Sequence, residues 1–117
     1  MASFISENHP GYVVVRMLTE RLDNQTTAEL RSELVLAAAN AVSNIILDLG
    51  TCNYCDTTGL SAIMIAHRLC KNGHLILVGV SDSVGSILSM QRFDPELDIV
   101  ADITEAEERM EAYIAKD

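Results

Sequence analysis

Two adjacent hydroxyls, Thr57 and Thr58, stand between Asp56 and Gly59, where a short polar loop gives way to an apolar run. The first backbone N–H groups of a helix lack intrahelical partners, and the macrodipole is positive there. A phosphate carried on either threonine would therefore meet donors instead of distorting the fold. The gain is about 0.3–1 kcal/mol at an exposed position, and the neighbouring Asp56 offsets part of it by repulsion. The plainer alternative is that Asp56 and Thr57 are ordinary helix caps. Spacing alone leaves both readings open.

The other reactive side chains point to less. Cys52-Asn53-Tyr54-Cys55 has the spacing of half a zinc or redox site, but a structural zinc needs four ligands and no second pair follows. Small hydrophobes tucked under the loop are the expected role of both thiols, and no metal or other cofactor is expected. His9, His67 and His74 fall in a turn, a helix and a strand start. They form no H-x-x-x-H pair, and neither G-x-S-x-G nor a P-loop occurs. Catalysis by this chain is not expected.

Composition narrows the partners. The formal charge is −9 with eight basic residues, which disfavours nucleic acid and anionic membrane surfaces, since both need clustered Lys and Arg. Acidity gathers late, at Asp94, Glu96, Asp98, Asp102, Glu105, Glu107, Glu108, Glu111 and Asp117 against Arg109 and Lys116. This suits a solvated helix face more simply than an acidic docking surface. Three cysteines, an opening without basic and apolar export regions, and no apolar run long enough to span a bilayer lead us to expect a cytoplasmic protein with reduced thiols.

The elements that must position Asp56 to Gly59 can be read along the chain. With 117 residues, of which 49% are hydrophobic and 4% aromatic, the chain is one domain with an aliphatic core. Asn8-His9-Pro10-Gly11 predicts a turn leading into the β-branched run Tyr12 to Leu18. Asp23 or Asn24 caps a helix whose buried stripe is expected at Leu30, Leu34, Ala37, Ala38 and Ala41, ending near Asn40 to Ser43. Asn44 to Gly50 and His74 to Val80 read as strands buried on both faces. Between them, Thr57 to Lys71 reads as a helix closed by a left-handed cap at Asn72-Gly73, which completes a βαβ unit.

Beyond it, Ser81 to Ser83 offers caps for a short helix with Val84, Ile87, Leu88 and Met90, broken before Asp94-Pro95. Leu97 to Val100 suits a short edge strand. Thr104 with Glu107 predicts a capping box that opens a last helix burying Ala106, Met110, Tyr113 and Ile114. Together these predict an α/β domain over 1–117, with a mixed sheet of four or five strands and helices mainly on one face.

The order of elements and four stretches of residues resemble the STAS domains, in particular the bacterial anti-sigma factor antagonists. Arg21-Leu22-Asp23 with Thr26 and Glu29-Leu30-Arg31 is similar to that family's L-D-x-x-T-x-x-E-L. Ile45 to Leu49 is similar to its central strand, Asp56-Thr57-Thr58-Gly59-Leu60 to its D-S-[ST]-G-L, and Leu77 to Ser81 to the approach to its short helix. Two departures stand out: Glu20 replaces a usual glycine, and threonine replaces serine at the acceptor position.

The resemblance implies a phosphorylation-switched binding module. Its partner would be an anti-sigma factor that is itself a serine/threonine kinase, bound when this chain is unmodified and released when it is phosphorylated, so that sigma and transcription respond. A serine/threonine phosphatase would fit as a further partner. Carried over by position, the acceptor is Thr57, and the partner-binding residues are Asp23, Asp56, Thr57, Thr58 and Gly59. No cation in the sequence is expected to pair the phosphate. The competing expectations are a STAS scaffold subunit of a lipid-transport or other complex without a phospho-switch, and a nucleotide or small-ligand site at the helix start. A neighbouring kinase-like gene would favour the switch, and an ATPase with a permease the scaffold.

Overall fold

Proline and then glycine in a two-residue loop favour a tight reversal, the first by its fixed φ and the second by tolerating positive φ. Pro10-Gly11, with Gly11 at φ 89°, joins β1 (Phe4–His9) to β2 (Tyr12–Met17) as an antiparallel hairpin with Phe4 opposite Met17. The structure, a computed structural model, describes residues 2–40, 42–90 and 97–116. After the hairpin come β3 (Arg21–Leu22), α1 (Asn24–Ala39), β4 (Asn44–Asp48), β5 (Tyr54–Cys55), α2 (Thr57–Leu69) and β6 (His74–Val78). The chain ends with α3 (Asp82–Met90), β7 (Asp98–Val100) and α4 (Ile103–Lys116).

The main sheet is mixed and five-stranded, in the order β1-β2-β4-β6-β7, with every pair but the first parallel. Ile45, Ile46 and Leu47 of the central strand β4 are 0% exposed, as an unbroken apolar run flanked by parallel neighbours should be. Alternation along the strands divides the core. Val13, Val15, Ile45, Leu47 and Leu77 face α1, α2 and α3 through Leu30, Leu34, Ile63 and Leu88. Val14, Ile46, Ile76 and Val78 face Ala106 and Met110 of α4. Three helices therefore share one face, and α4 covers the other. Each fully buried Leu or Ile contributes about 1.5–3 kcal/mol.

Several local expectations need correction or comment. The stripe of α1 is Thr27, Leu30, Leu34 and Ala37, and Ala38 faces solvent, because the helix leans its i, i+3, i+7 line on the sheet. The expected stripe residue Ala41 and the break at Asp94-Pro95 lie outside the described residues. Gly73 does not close α2 in the left-handed region, since the positive-φ glycines are Gly11 and Gly79. It is needed because a Cβ there would strike the Ser43 carbonyl oxygen. The last helix is capped by Asp102, whose Oδ1 accepts the Glu105 N–H at 2.9 Å, so the Thr104 box is not used. Ser81 caps α3 as expected, with its Oγ accepting the Val84 N–H at 3.2 Å.

Candidate functional site

The two-residue strands β3 and β5 form a separate parallel pair, with Arg21 beside Tyr54 and Leu22 beside Cys55. The Glu20 carbonyl accepts the N–H groups of Asn53 (2.8 Å) and Tyr54 (3.2 Å), and the Leu22 carbonyl accepts that of Asp56 (3.2 Å). So the turn forms with Glu20 in place of glycine. The residue after each paired segment is an aspartate, and each caps a helix: Asp23 caps α1 and Asp56 caps α2. Two helix starts thus lie side by side, bringing together all five residues expected to bind a partner.

Each carboxylate is held ionised by its cap. Asp23 Oδ1 accepts from the N–H groups of Gln25 (3.0 Å) and Thr26 (3.3 Å), while Thr26 Oγ1 accepts the Asp23 N–H at 3.0 Å. Donation from the Thr26 backbone keeps its pKa below the usual carboxylate range. Asp56 Oδ1 accepts the Thr58 hydroxyl at 2.6 Å and the Gly59 N–H at 2.9 Å. The Thr58 hydroxyl is the main cause of its lowered pKa, and the Asp23 charge opposes that shift.

The two threonines therefore differ. Thr58 spends its hydroxyl on the cap, whereas the exposed Thr57 side chain makes no hydrogen bond among the described residues. Gly59 is fixed by packing, because a Cβ would clash with the Leu22 carbonyl oxygen and come within 2.8 Å of Leu22 Cγ and 3.0 Å of Cys55 Sγ. A glycine here lets the first turn of α2 press against β3.

Beneath this turn, Cys52 and Cys55 are buried and donate to the carbonyls of Tyr54 (3.2 Å) and Asp56 (3.4 Å). Burial pushes the Cys55 thiol up to about 12 and raises that of Cys52. Among the described residues no three His, Cys, Asp or Glu side chains gather as metal ligands, and no helix is long and apolar enough to cross a membrane.

One element of the site was not foreseen. Arg31 of α1 reaches across to α2, where its Nη2 donates to Ser61 Oγ at 3.0 Å. Ser61 in turn donates to the Thr58 carbonyl at 2.6 Å. A cation thus rests on Ser61, four residues along α2 from Thr57. A contact across 30 residues between an exposed arginine and a half-buried serine leaves no periodic trace in a sequence. Arg21 lies over the Tyr54 ring, 3.9 Å from its centroid, and 3.6 Å from Asp23.

Solved structures share this architecture. The Bacillus cell fate determinant SpoIIAA in its phosphorylated form is 23% identical, with a TM-score of 0.72 over 91% of this chain and 97% of that one. A putative anti-sigma factor antagonist from Thermotoga maritima is 20% identical, with a TM-score of 0.82 over 92% and 94%. RsbS from Moorella thermoacetica is 17% identical, with a TM-score of 0.80 over 97% and 98%. At such identities the likeness is one of fold. No curated protein matches the sequence. The sequence itself matches the STAS domain over residues 3–106, and the chain belongs to the STAS domain family.

Proposed function

We propose that this chain is an anti-sigma factor antagonist, a binding module without turnover of its own, whose affinity for a kinase-type anti-sigma factor is set by a phosphate on Thr57. The observation that carries the proposal is the contrast between the two hydroxyls. Thr57 is exposed and uncommitted among the described residues, while Thr58 is tied to Asp56 at 2.6 Å. Phosphorylating Thr58 would remove the hydroxyl that donates to Asp56 and weaken the cap of α2 by about 0.5–1 kcal/mol; phosphorylating Thr57 leaves the cap intact. Support also comes from a structural relative, SpoIIAA, an anti-sigma factor antagonist solved in unphosphorylated and phosphorylated forms.

In the proposed cycle Thr57 Oγ1 attacks the γ-phosphorus of ATP bound to the kinase. The new O–P bond forms as the bond to ADP breaks, and the hydroxyl proton passes to a base of the kinase. The unmodified chain holds the anti-sigma factor through the surface of Asp23, Asp56, Thr57, Thr58 and Gly59, and sigma is free. The phosphate adds about −1.5 to −2 charges where the partner must come close. Desolvating that charge at an interface costs about 2–5 kcal/mol, and the complex dissociates. A phosphatase resets the switch, and the cycle belongs in the cytoplasm.

The test is site mapping after incubation with ATP and a kinase-like protein encoded beside this chain. The phosphate is expected on Thr57, with Thr57→Ala unmodified. Phosphate on another residue of the parent chain overturns the proposal.

A further inference from the structure

Three of the seven lysines and arginines among the described residues pair with carboxylates. Arg16 lies 3.2 Å from Glu7 and 3.3 Å from Asp48, Arg21 lies 3.6 Å from Asp23, and Arg109 contacts Asp98 at 2.5 Å and Glu105 at 2.9 Å. Arg31 differs. Its guanidinium rests on the neutral hydroxyl of Ser61 and has no carboxylate partner among the described residues. Side chains four apart on a helix are neighbours, about 5–6 Å between β-carbons, so Ser61 and Thr57 share a face of α2. Arg31 is held on that face by the hydrogen bond from α1.

We infer that Arg31 is the phosphate-pairing residue of the switch: once Thr57 is phosphorylated, the guanidinium leaves Ser61 and binds the phosphoryl oxygens across the α1–α2 junction. The inference rests on the proposal that Thr57 carries the phosphate, and goes beyond it by naming what holds that group. Phosphate offers three strong acceptors where Ser61 offers one neutral oxygen, and a guanidinium matches such oxygens two at a time. The other charged groups at this junction do not compete for the role. Asp23 and Asp56 repel the phosphate, and Arg21 is engaged by Asp23 and stacked on Tyr54. Pairing in cis fixes the phosphate against the fold, and it draws Arg31 away from any acidic group of the partner. The phosphorylated surface then carries a net negative charge, because one guanidinium offsets only part of the phosphate's about −1.5 to −2.

The experiment uses the full chain with phosphothreonine encoded at position 57, so that no kinase is needed, and follows the phosphorus resonance through a pH titration. A nearby cation favours the dianion. The second ionisation should therefore fall about half a pH unit lower in the parent than in Arg31→Gln, a roughly threefold change in the proton-binding constant. Arg31→Lys should recover part of the shift, because it keeps the charge without the fork. Arg21→Gln should leave the titration where it is in the parent. Coincident titrations of the parent and Arg31→Gln overturn the inference, as does a shift lost in Arg21→Gln and kept in Arg31→Gln. Either failure leaves the choice of Thr57 standing, since that choice is tested by site mapping with the kinase. Misplaced phosphate in that mapping overturns the switch without touching the titration result.

Discussion

Alanine at position 59 sets two effects of opposite sign against each other, and the structure says which is larger. In an open helix, Gly→Ala stabilises by up to about 1 kcal/mol through backbone entropy. At Gly59 the new methyl would clash with the Leu22 carbonyl oxygen and come within 2.8 Å of Leu22 Cγ. That carbonyl accepts the Asp56 N–H and belongs to β3, so it cannot yield without separating β3 from β5. Overpacking of this kind costs about 1–3 kcal/mol. The propensity gain is small in a first turn, which leaves a net loss of about 1–2 kcal/mol. For a domain of this size that lowers Tm by about 4–8 °C. Gly85, inside α3, is the internal control. Its Cβ would meet only Val80 Cγ1 at 3.7 Å, so Gly85→Ala should raise Tm by a few degrees. Calorimetry of the two variants beside the parent measures both shifts. A Gly59→Ala protein as stable as the parent would refute the close approach of α2 to β3 and the geometry built on it.

Three further outcomes follow from the same site. Folding lowers the pKa of Asp56 and Asp23, so their contribution is fully present above the unfolded value near 3.9 and is lost as pH falls through the lower folded value. Urea midpoints should drop between pH 5 and pH 2, and Asp56→Asn, which can still cap, should flatten part of that slope. Buried thiols pushed up to about 12 at Cys55 and Cys70 hold about a thousandfold less thiolate than free cysteine near neutral pH. Those two cysteines should resist Ellman's reagent at pH 8 until the chain is unfolded, and rapid native reaction would contradict their burial. Thr58→Ala should cost about 0.5–1 kcal/mol in thermal melts through the weakened Asp56 cap, while Thr57→Ala should leave Tm within about 2 °C.

How much of this could be read beforehand depends on the range of each interaction. The hairpin, the buried strand at Ile45 to Leu47 and the βαβ unit were legible because Pro10-Gly11, unbroken apolar runs and an amphipathic helix are local signals. The capping role of Asp56 was legible for the same reason. The β3–β5 pair was not, since two-residue strands lie below any periodicity and are held by pairing across some thirty residues. Without that pair nothing in the sequence places Asp23 beside Asp56. Gly73 was misread because a glycine required by a neighbouring carbonyl looks the same as one required by φ. Ala38 was misassigned because alanine is tolerated equally inside and outside a helix. The difference between Thr57 and Thr58 rests on a rotamer choice at Asp56, and the contact of Arg31 with Ser61 on a helix–helix packing, neither of which a sequence displays.

The central claim is that the charge on Thr57 gates partner binding, and the direct measurement is calorimetric titration of the neighbouring kinase-like protein with the full chain. Three forms would be compared: unmodified, phosphorylated on Thr57, and Thr57→Glu. A cost of 2–5 kcal/mol corresponds to a Kd raised about thirtyfold to several thousandfold in the phosphorylated form. Thr57→Glu should be weakened in the same direction with its melting behaviour unchanged, and Thr57→Ala should bind like the unmodified chain. Equal Kd values for the unmodified and phosphorylated forms would contradict the account.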